Sequence, residues 1–190
     1  MRIVAGAWRG RALTAPAGAT TRPTADRVRQ ALFDMLLHAP WGGRAAIEGV
    51  VVLDLFAGTG AFGLEALSRG AARATFVEQD RAAILALRHN VAACRAEDRC
   101  RIVAGDVLAL APGEPAGLVF LDPPYGQDLV PRAVTHLART GRIAAGALVV
   151  AETGRDEAPS LAEATAELLA ERAHGAARLW IWRIAAPAPA

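Results

Sequence analysis

The stretch VVVLDLFAGTGAFG, residues 50–63, runs from a short apolar segment through an aspartate into a glycine-rich loop. Its glycines, Gly58, Gly60 and Gly63, have the G-x-G-x-x-G spacing that lets a ligand approach the backbone where a strand turns into a helix. Helix-forming residues follow and stop at Gly70. The stretch therefore predicts a strand, a ligand-binding loop and a helix, the first unit of an open α/β sheet.

Four more apolar runs follow, with helical stretches between them: ATFV, RIV, LVFL and ALVV. This alternation is typical of βαβ units and predicts a mostly parallel sheet with helices on both faces. Before the first strand, Thr24 predicts the cap of another helix, which Pro40 and the Gly42–Gly43 pair end. A further helix is predicted over residues 81–93, after Asp80. The predicted fold class is therefore α/β.

Four of the predicted strands end in an acidic residue. These are Asp54, Glu78, Asp106 and Asp122, each at or just after the end of an apolar run. Aspartate also favours helix caps, which explains any one of these positions without a ligand. In an open α/β sheet, however, ligands bind outside the carboxyl ends of the strands. Four acids in corresponding places therefore predict one acidic cleft.

Two cofactor classes suit a glycine loop of this kind. A nicotinamide dinucleotide would place its ribose hydroxyls at Glu78, but Asp54 would repel its pyrophosphate. S-adenosylmethionine has no phosphate, and its positive sulfonium and ammonium groups suit Asp54 and Asp122. Its ribose diol suits Glu78, and its adenine amine suits Asp106. S-adenosylmethionine is therefore the predicted cofactor, with the dinucleotide as the alternative.

A second motif, FLDPPYG at residues 120–126, follows the fourth apolar run. An ionised Asp122 only accepts hydrogen bonds, and Pro123 and Pro124 offer carbonyls without N–H donors. Such a turn suits a planar exocyclic amine, which has two hydrogens to donate and a face on which Tyr125 can stack. We predict that these residues aim the amine nitrogen of a nucleobase at the methyl carbon of the cofactor. A rigid surface turn with a capping aspartate is the alternative interpretation.

Positive charge is concentrated near the amino terminus. The net charge is only +2 and all 21 basic residues are arginine, but residues 1–30 carry arginine at positions 2, 9, 11, 22, 27 and 29 against Asp26 alone. Together with Trp8, this arm has the character of a nucleic-acid contact, although a solvated hairpin explains it equally well. We divide the chain into a basic RNA-contacting arm, residues 1–22, and a catalytic domain, residues 23–190.

Other classes of protein are disfavoured. No apolar run reaches the length of a membrane span, and the first residues lack the apolar core of a secretory signal. We therefore expect a cytoplasmic protein, and we also expect a monomer. Cys94 and Cys100 have no partners at metal-ligand spacing, so reduced thiols and no metal site are expected.

The motifs DLFAGTG and DPPY make the chain similar to the class I S-adenosylmethionine-dependent amino-methyltransferases. More narrowly, it resembles the RsmD family, which methylates a guanine N2 in bacterial small-subunit (16S) ribosomal RNA. The similarity runs through RIVAGAWRGRAL, TRPTADRVRQALFDML, VLDLFAGTGAFGLEALSRGA, FVEQD and LVFLDPPYG, and covers most of residues 1–130. The resemblance implies S-adenosylmethionine as cofactor and ribosomal RNA as partner, within the small subunit or its assembly intermediate.

The resemblance also implies roles for individual residues. The implied catalytic residues are Asp122, Pro123, Pro124 and Tyr125. The implied cofactor-binding residues are Thr24, Asp54, Phe56, Gly58, Gly60, Glu78, Gln79, Asp106 and Val107. The implied RNA-binding residues are Arg9, Arg11, Arg22 and Arg29.

The fold that the resemblance implies is a Rossmann-like class I methyltransferase. It has a seven-stranded, mostly parallel sheet, an antiparallel C-terminal hairpin and a short N-terminal β-hairpin arm. The local sequence disagrees at residues 160–173, SLAEATAELLAERA, which have strong helix propensity. We predict a strand over residues 168–173, because tertiary pairing overrides propensity. Trp180 and Trp182 alternate along the last strand and are predicted to pack in the core.

Three other functions stay open from the sequence. They are a DNA adenine-N6 or cytosine-N4 methyltransferase, a nicotinamide-dependent oxidoreductase, and a non-catalytic RNA-binding or assembly protein. The exocyclic amine alone does not separate the three bases, because guanine, adenine and cytosine all present it. The arginine-rich arm and the small size of the chain favour RNA over DNA.

Overall fold

The computed structural model describes residues 1–16, 23–161 and 165–185, and in the first helix it describes side chains from residue 26 onward. The helices are α1 Pro23–His38, α2 Ala61–Ser68, α3 Arg81–Ala93 and α4 Leu129–Arg139. The strands are β1 Val51–Leu55, β2 Arg73–Glu78, β3 Cys100–Ala104, β4 Ala116–Leu121, β5 Ile143–Gly154, β6 Ala166–His174 and β7 Ala177–Ile184. Short 3₁₀ helices lie at Arg44–Ala46, Glu97–Arg99 and Val107–Ala109.

The seven strands form one sheet in the order β3-β2-β1-β4-β5-β7-β6. Strands β1 to β5 are parallel, and β7 lies antiparallel between β5 and β6. From β1 the chain continues to one side of the sheet, and from the adjacent β4 it continues to the other side. This arrangement opens a crevice at the carboxyl ends of β1 and β4. The predicted Rossmann-like fold with an antiparallel C-terminal hairpin is confirmed.

Helices cover both faces of the sheet, because side chains along each buried strand alternate between two apolar cores. In β1, Val52 belongs to the core that α1, α2 and α3 cover. Leu53 and Leu55 belong to the core that α4 covers. By the same alternation, the side chain of Asp54 points toward α2. No helix in the described ranges is long and apolar enough to cross a membrane.

The C-terminal hairpin forms despite the helix propensity of its first strand. Strand β6 covers Ala166–His174 at the edge of the sheet and pairs along its length with β7, which satisfies the backbone groups on that side. In β7, Trp180 and Trp182 are buried with their rings stacked at a centroid distance of 5.7 Å. Their predicted core role is confirmed. Pairing with β7, which is buried, explains why β6 forms against its local helix propensity.

Two helix starts test the capping predictions. Helix α1 begins at Pro23, one residue before the predicted cap Thr24. Proline suits this position because its φ is already helical and the first turn has no partner for an N–H in any case. Helix α3 begins as predicted, since the Asp80 side chain accepts a hydrogen bond from the Ala83 N–H at 2.7 Å.

The described part of the arm, residues 1–16, packs against the main body. Its β-pairing is a single antiparallel bridge between Arg2 and Ala12. Ile3 and Leu13 are buried in the core that α1, α2 and α3 cover. The backbone of the arm also donates hydrogen bonds to the main chain and side chain of Ser68 in α2 and to the side chain of Asn90 in α3.

A buried carboxylate, Glu65 of α2, fastens the arm to two helices. Its two oxygens accept hydrogen bonds from the Val4 and Ala5 N–H groups at 2.8 and 3.0 Å. The same carboxylate pairs with Arg69 Nε at 2.7 Å and with Arg29 Nε at 3.6 Å. Because Arg29 belongs to α1, this group joins the arm, α1 and α2 at one point. We call these five residues the Glu65 network.

Candidate active site

A first cleft opens at the carboxyl ends of β1, β2 and β4, with a volume of about 460 Å³. We call it the Glu78 cleft. Its walls are formed by Phe56 after β1, by residues 78–80 at the end of β2, and by the DPPY motif, residues 122–125, after β4. The structure therefore brings three of the predicted segments together, as the strand-end pattern predicts.

A second cleft of about 370 Å³, which we call the Glu152 cleft, lies beside the first. The glycine loop contributes residues 57–59, and α1 contributes Val28. The C-terminal half of the sheet contributes Glu152 of β5 and His174 of β6. Phe56, Asp122 and Tyr125 line both clefts, so the DPPY motif lies where the two clefts meet.

Glu78 ends β2 with its carboxylate fixed by three backbone N–H groups. Oε2 accepts from Gly58 at 2.8 Å, and Oε1 accepts from Gln79 and Asp80 at 2.8 Å each. These charge-assisted bonds tie the glycine loop to β2 and orient the carboxylate at the wall of the cleft. An ionised carboxylate has about four acceptor positions, so Glu78 keeps capacity for a ligand hydroxyl.

The three glycines of the loop serve different purposes. A Cβ on Gly58 would meet nothing nearer than the Phe56 carbonyl oxygen at 4.0 Å, so this part of the loop is open. A Cβ on Gly60 would lie 2.4 Å from a leucine side chain of α3, and one on Gly63 would lie 2.4 Å from Phe76. Gly58 therefore leaves room for a ligand, whereas Gly60 and Gly63 leave room for the core.

Alanine substitutions should separate these two purposes. We expect Gly58→Ala to weaken S-adenosylhomocysteine binding by at least about tenfold, the effect of losing 1.4 kcal/mol of contact. Its positive φ of 53° adds strain of about 1 kcal/mol to the fold. Gly63→Ala should overpack the core and lower the free energy of unfolding by about 1–3 kcal/mol. Calorimetric titration and urea unfolding measure both, and equal affinity losses in the two variants would contradict this division of roles.

Asp54 lies beneath the glycine loop and not in a cleft. It is buried within β1, and its Oδ2 accepts a hydrogen bond from the Gly63 N–H at 2.8 Å. Burial raises the pKa of Asp54 to about 8, against the lowering effect of that hydrogen bond and with smaller raising effects from Asp122 and Glu78. Burial therefore favours the neutral form of this carboxyl. Asp54 lines neither cleft, because β1 continues to Leu55 and points this side chain at α2, and its contact with the cofactor stays a prediction.

Asp122 directly follows β4 and faces both clefts. Burial by the surrounding protein, and then the negative charge of Glu152, raise the pKa of Asp122 to about 7. Its side chain is nevertheless open to water in the cleft, which offsets part of the shift until a ligand displaces that water. A carboxylate with a pKa near neutral suits a group that first holds an amine and later accepts its proton.

Tyr125 presents its ring at the junction of the clefts and is 44% exposed. Its hydroxyl donates to Glu152 Oε1 at 2.6 Å, and the following Gly126 N–H donates to Glu157 Oε1 at 2.7 Å. Burial and the bond to Glu152 raise the pKa of Tyr125, so the phenol stays neutral. The two bonds hold an exposed aromatic face in place, which suits stacking against a planar base.

The residues that follow β3 line neither cleft, although the Gly105 N–H donates to the Glu78 carbonyl oxygen at 2.9 Å. Asp106 is exposed, and its Oδ1 accepts from the Leu108 N–H at 2.9 Å, which caps the short helix Val107–Ala109. Val107 is buried in the core that α4 covers. Among the described residues, neither lines the two clefts, whereas Gln79 lines the Glu78 cleft. The capping alternative therefore holds for Asp106, and contact of either residue with the cofactor stays a prediction.

Arg29 is a correction to the predicted RNA surface. It is 2% exposed, and its guanidinium pairs with Asp26 at 2.9 Å and with Glu65 at 3.6 Å. It also donates to the Arg2 carbonyl oxygen. The prediction that Arg29 binds RNA is wrong, because its charge is already used inside the protein.

The remaining predicted RNA contacts lie on the arm. Arg9 and Arg11 are exposed, and their binding to RNA stays a prediction. The ring of Trp8 has the Arg99 guanidinium 5.0 Å from its centroid, so one of its faces already holds a protein cation. Arg22 and the side chain of Thr24 lie outside the described residues.

Two residues of the Glu152 cleft were missed from the sequence. Glu152 follows the apolar run ALVVA, so the strand-end pattern that selects Asp122 also selects Glu152 when it is extended to β5. His174 is the last residue of β6, so it reaches the cleft only because this strand forms. A sequence segment with helix propensity gave no signal for that position.

Comparisons with known proteins agree with this geometry. A family model described as conserved hypothetical protein 95 matches residues 1–183. The chain is 41% identical over 155 residues to ribosomal RNA small subunit methyltransferase D of Escherichia coli, which covers 80% of this chain and 74% of that protein. It is 34% identical over 180 residues to the Haemophilus influenzae protein of the same name, covering 92% of this chain and 89% of that protein.

A solved structure gives the same result. The Escherichia coli protein yhhF, described with its structure as a proposed methyltransferase, superposes with a TM-score of 0.85 at 36% sequence identity. The match covers 98% of this chain and 99% of that chain. The likeness therefore includes the C-terminal hairpin and the arm as well as the parallel sheet.

Proposed function

The chain belongs to the conserved hypothetical protein 95 family, the RsmD family of ribosomal RNA methyltransferases, and on this premise we propose that it methylates the exocyclic N2 amine of a guanine in small-subunit (16S) ribosomal RNA. The methyl donor in this proposal is S-adenosylmethionine. The substrate is ribosomal RNA within the small subunit or an assembly intermediate, and the enzyme acts as a cytoplasmic monomer. The exposed Arg9 and Arg11 on the arm support contact with an RNA backbone.

The observation that carries the proposal is the junction of the two clefts. Methyl transfer needs a donor and an acceptor that approach one point from different directions, and holding them there supplies roughly 7–11 kcal/mol of the barrier. Asp122 and Tyr125 line both clefts, so a cofactor in one and a base in the other meet at these residues. A protein that only bound RNA would have no need of this junction.

The residues present fit S-adenosylmethionine. Glu78 is an oriented carboxylate with capacity for a ribose hydroxyl, and Gly58 leaves an open approach to the loop. When bound, S-adenosylmethionine supplies a methyl group on a positively charged sulfur. Asp122 would contribute negative charge toward that group, because it faces the clefts whereas Asp54 does not.

The DPPY motif then orients the acceptor. Asp122 and the Pro123 carbonyl accept hydrogen bonds from the amine, which turns its lone pair toward the methyl carbon. As the nitrogen becomes positive, the same acceptors stabilise it. Tyr125 stacks on the base, which must leave its helix to reach the cleft. Asp122 is also placed to accept the proton that the amine releases.

Methylation assays with tritiated S-adenosylmethionine test the proposal. The substrates are DNA, naked ribosomal RNA and small-subunit particles from a strain that lacks the gene, and mass spectrometry identifies the modified nucleoside. We expect N2-methylguanosine in ribosomal RNA. If DNA alone is labelled, the substrate is DNA and not RNA. If the protein binds NADH tightly and does not bind S-adenosylhomocysteine, it is not a methyltransferase.

The raised pKa of Asp122 predicts a pH dependence. The ionised carboxylate is the active form, so kcat at saturating substrate should rise as pH increases through about 7, the pKa of Asp122 once ligands displace water from the cleft. Glu152→Gln removes the neighbouring negative charge, which lowers the pKa of Asp122 and shifts the rise to lower pH. Initial rates across the neutral range at constant ionic strength measure both profiles. A profile that is flat there would contradict the role of Asp122.

A further inference from the structure

Glu152 is the second acidic group at the junction of the clefts. It lies near the end of β5, is half-buried, and lines the same cleft as Asp122. Its Oε1 accepts the Tyr125 hydroxyl, which fixes the orientation of the carboxylate. Within the described ranges, Oε2 makes no hydrogen bond or ion pair. Glu152 therefore offers an oriented acceptor with one oxygen left for a ligand.

The position of Glu152 next to Asp122 is electrostatically unfavourable. The two carboxylates are close enough to repel each other, and repulsion between like charges in a partly desolvated site is unfavourable. The arginine of the cleft wall, Arg29, is engaged by Asp26 and Glu65. A ligand that donates two neighbouring N–H groups would offset this repulsion, because each carboxylate would then hold one donor.

The three candidate bases differ in what lies next to the amine. In guanine, the N2 amine is adjacent to a ring N1–H, which is a donor. In adenine and cytosine, the ring nitrogen next to the amine has a lone pair and is an acceptor. An ionised acceptor at this position attracts the guanine edge and repels the other two.

Resting on the proposed function, we propose that Glu152 determines the choice of base by accepting a hydrogen bond from the ring N1–H of guanine while Asp122 holds the adjacent N2 amine. A deaminase or methyltransferase that flips a base reads it along this edge in the same way. The hydrogen bond from the Tyr125 hydroxyl places the Glu152 carboxylate directly beside the DPPY motif. Glu152 is thereby a specificity-determining residue that touches the substrate.

An orphaned atom in the same cleft supports a polar ligand there. His174 lines the Glu152 cleft, and its Nε2 is buried without a hydrogen-bond partner in the described part of the chain. A buried polar atom without a partner is unfavourable unless a ligand satisfies it. The O6 carbonyl of guanine, which follows N1 along the same edge, is a suitable acceptor for a ring N–H at this position.

The test compares guanine with 2-aminopurine at the target nucleotide of the substrate RNA. 2-Aminopurine keeps the amine at the same position but has a lone pair at N1 and no O6. We expect the wild-type enzyme to prefer guanine in kcat/KM by about 10²-fold or more, because the analogue lacks the N–H that the site accepts. In Glu152→Gln we expect the preference to fall by about tenfold or more, since the amide also donates to a lone pair.

Glu167→Gln is the matched control. It removes an exposed carboxylate of β6 that pairs with Arg183 and does not line the Glu152 cleft. We expect its preference for guanine to equal that of the wild type. Melting temperature and S-adenosylhomocysteine affinity establish that each variant is folded.

The outcomes separate this inference from the proposed function. If the wild-type enzyme forms no N2-methylguanosine, the proposed function fails. If it does, and folded Glu152→Gln keeps the full preference for guanine, the role of Glu152 is overturned. The role of Glu152 is also overturned if Glu152→Gln still binds the cofactor but loses activity equally on guanine and on 2-aminopurine. Glu152 would then serve the reaction and not the choice of base.

Discussion

Replacing Asp122 by alanine is expected to lower kcat for methyl transfer by about 10³-fold, the typical loss when a group that stabilises developing charge or transfers a proton is removed. Asp122 is the carboxylate common to both clefts, and its substitution removes the charged one of the two acceptors proposed for the amine. Single-turnover rates with saturating RNA and cofactor measure the effect. S-adenosylhomocysteine affinity should change little, since the carboxylate of Glu78 and the glycine loop remain.

Glu78→Ala is the matched comparison for this prediction. It removes a carboxylate from the same cleft, but one that holds the glycine loop through three backbone N–H groups. We expect it mainly to weaken S-adenosylhomocysteine binding, with a smaller effect on the single-turnover rate at saturation. Near wild-type kcat in Asp122→Ala, or a loss of cofactor affinity equal to that of Glu78→Ala, would show that Asp122 does not act on the amine.

The fold could be predicted because its signals are local. Apolar runs separated by helical stretches identify the five parallel strands, and a carboxyl-end pattern identifies one crevice. Strand β6 needed the family resemblance, because its helix propensity is overridden by pairing with β7. The direction of each side chain at a strand end was harder to predict. One more residue in β1 turns Asp54 away from the crevice, since side chains alternate with a period of two.

In the candidate site, too, positions were easier to predict than side-chain directions. Asp122, Tyr125, Glu78 and Gly58 lie where the sequence predicts, because each belongs to a motif at the end of a strand. Asp54 disfavours a dinucleotide only if its charge faces the cleft, and its buried position beneath the glycine loop removes that reason. The choice of S-adenosylmethionine now rests on the DPPY motif, the junction of the clefts and the family.

Long-range contacts account for the remaining differences. The sequence predicts Arg29 as a surface cation. In the structure it is buried by the arm and by Glu65, which lies thirty-six positions later in the chain. Pairings between segments so far apart leave no periodic signal in either segment. His174 is the corresponding case in the Glu152 cleft, because only the sheet order brings β6 to that cleft.

Glu65→Ala is expected to lower the free energy of unfolding by about 3–5 kcal/mol, the usual effect of removing one partner from a buried ion pair. Glu65 is 0% exposed, and its loss leaves the Arg29 and Arg69 guanidinium groups and two arm N–H groups without their acceptor. Urea unfolding followed by circular dichroism measures the change. Because the Glu65 network joins the arm to α1 and α2, protease cleavage within residues 1–16 should also become faster.

Glu48→Ala is the control for the second prediction. Glu48 pairs with Arg44 at 3.2 Å, but both side chains are largely exposed, so its removal should cost less than about 1 kcal/mol. If the two variants lose similar stability, the Glu65 network does not hold the arm. If Glu65→Ala loses stability while the arm stays protected from protease, the network stabilises α1 and α2 alone, and Ile3 and Leu13 hold the arm by apolar packing. In the proposed function the arm contacts RNA through the exposed Arg9 and Arg11. On that proposal, faster cleavage in Glu65→Ala should be accompanied by weaker RNA binding at unchanged S-adenosylhomocysteine affinity.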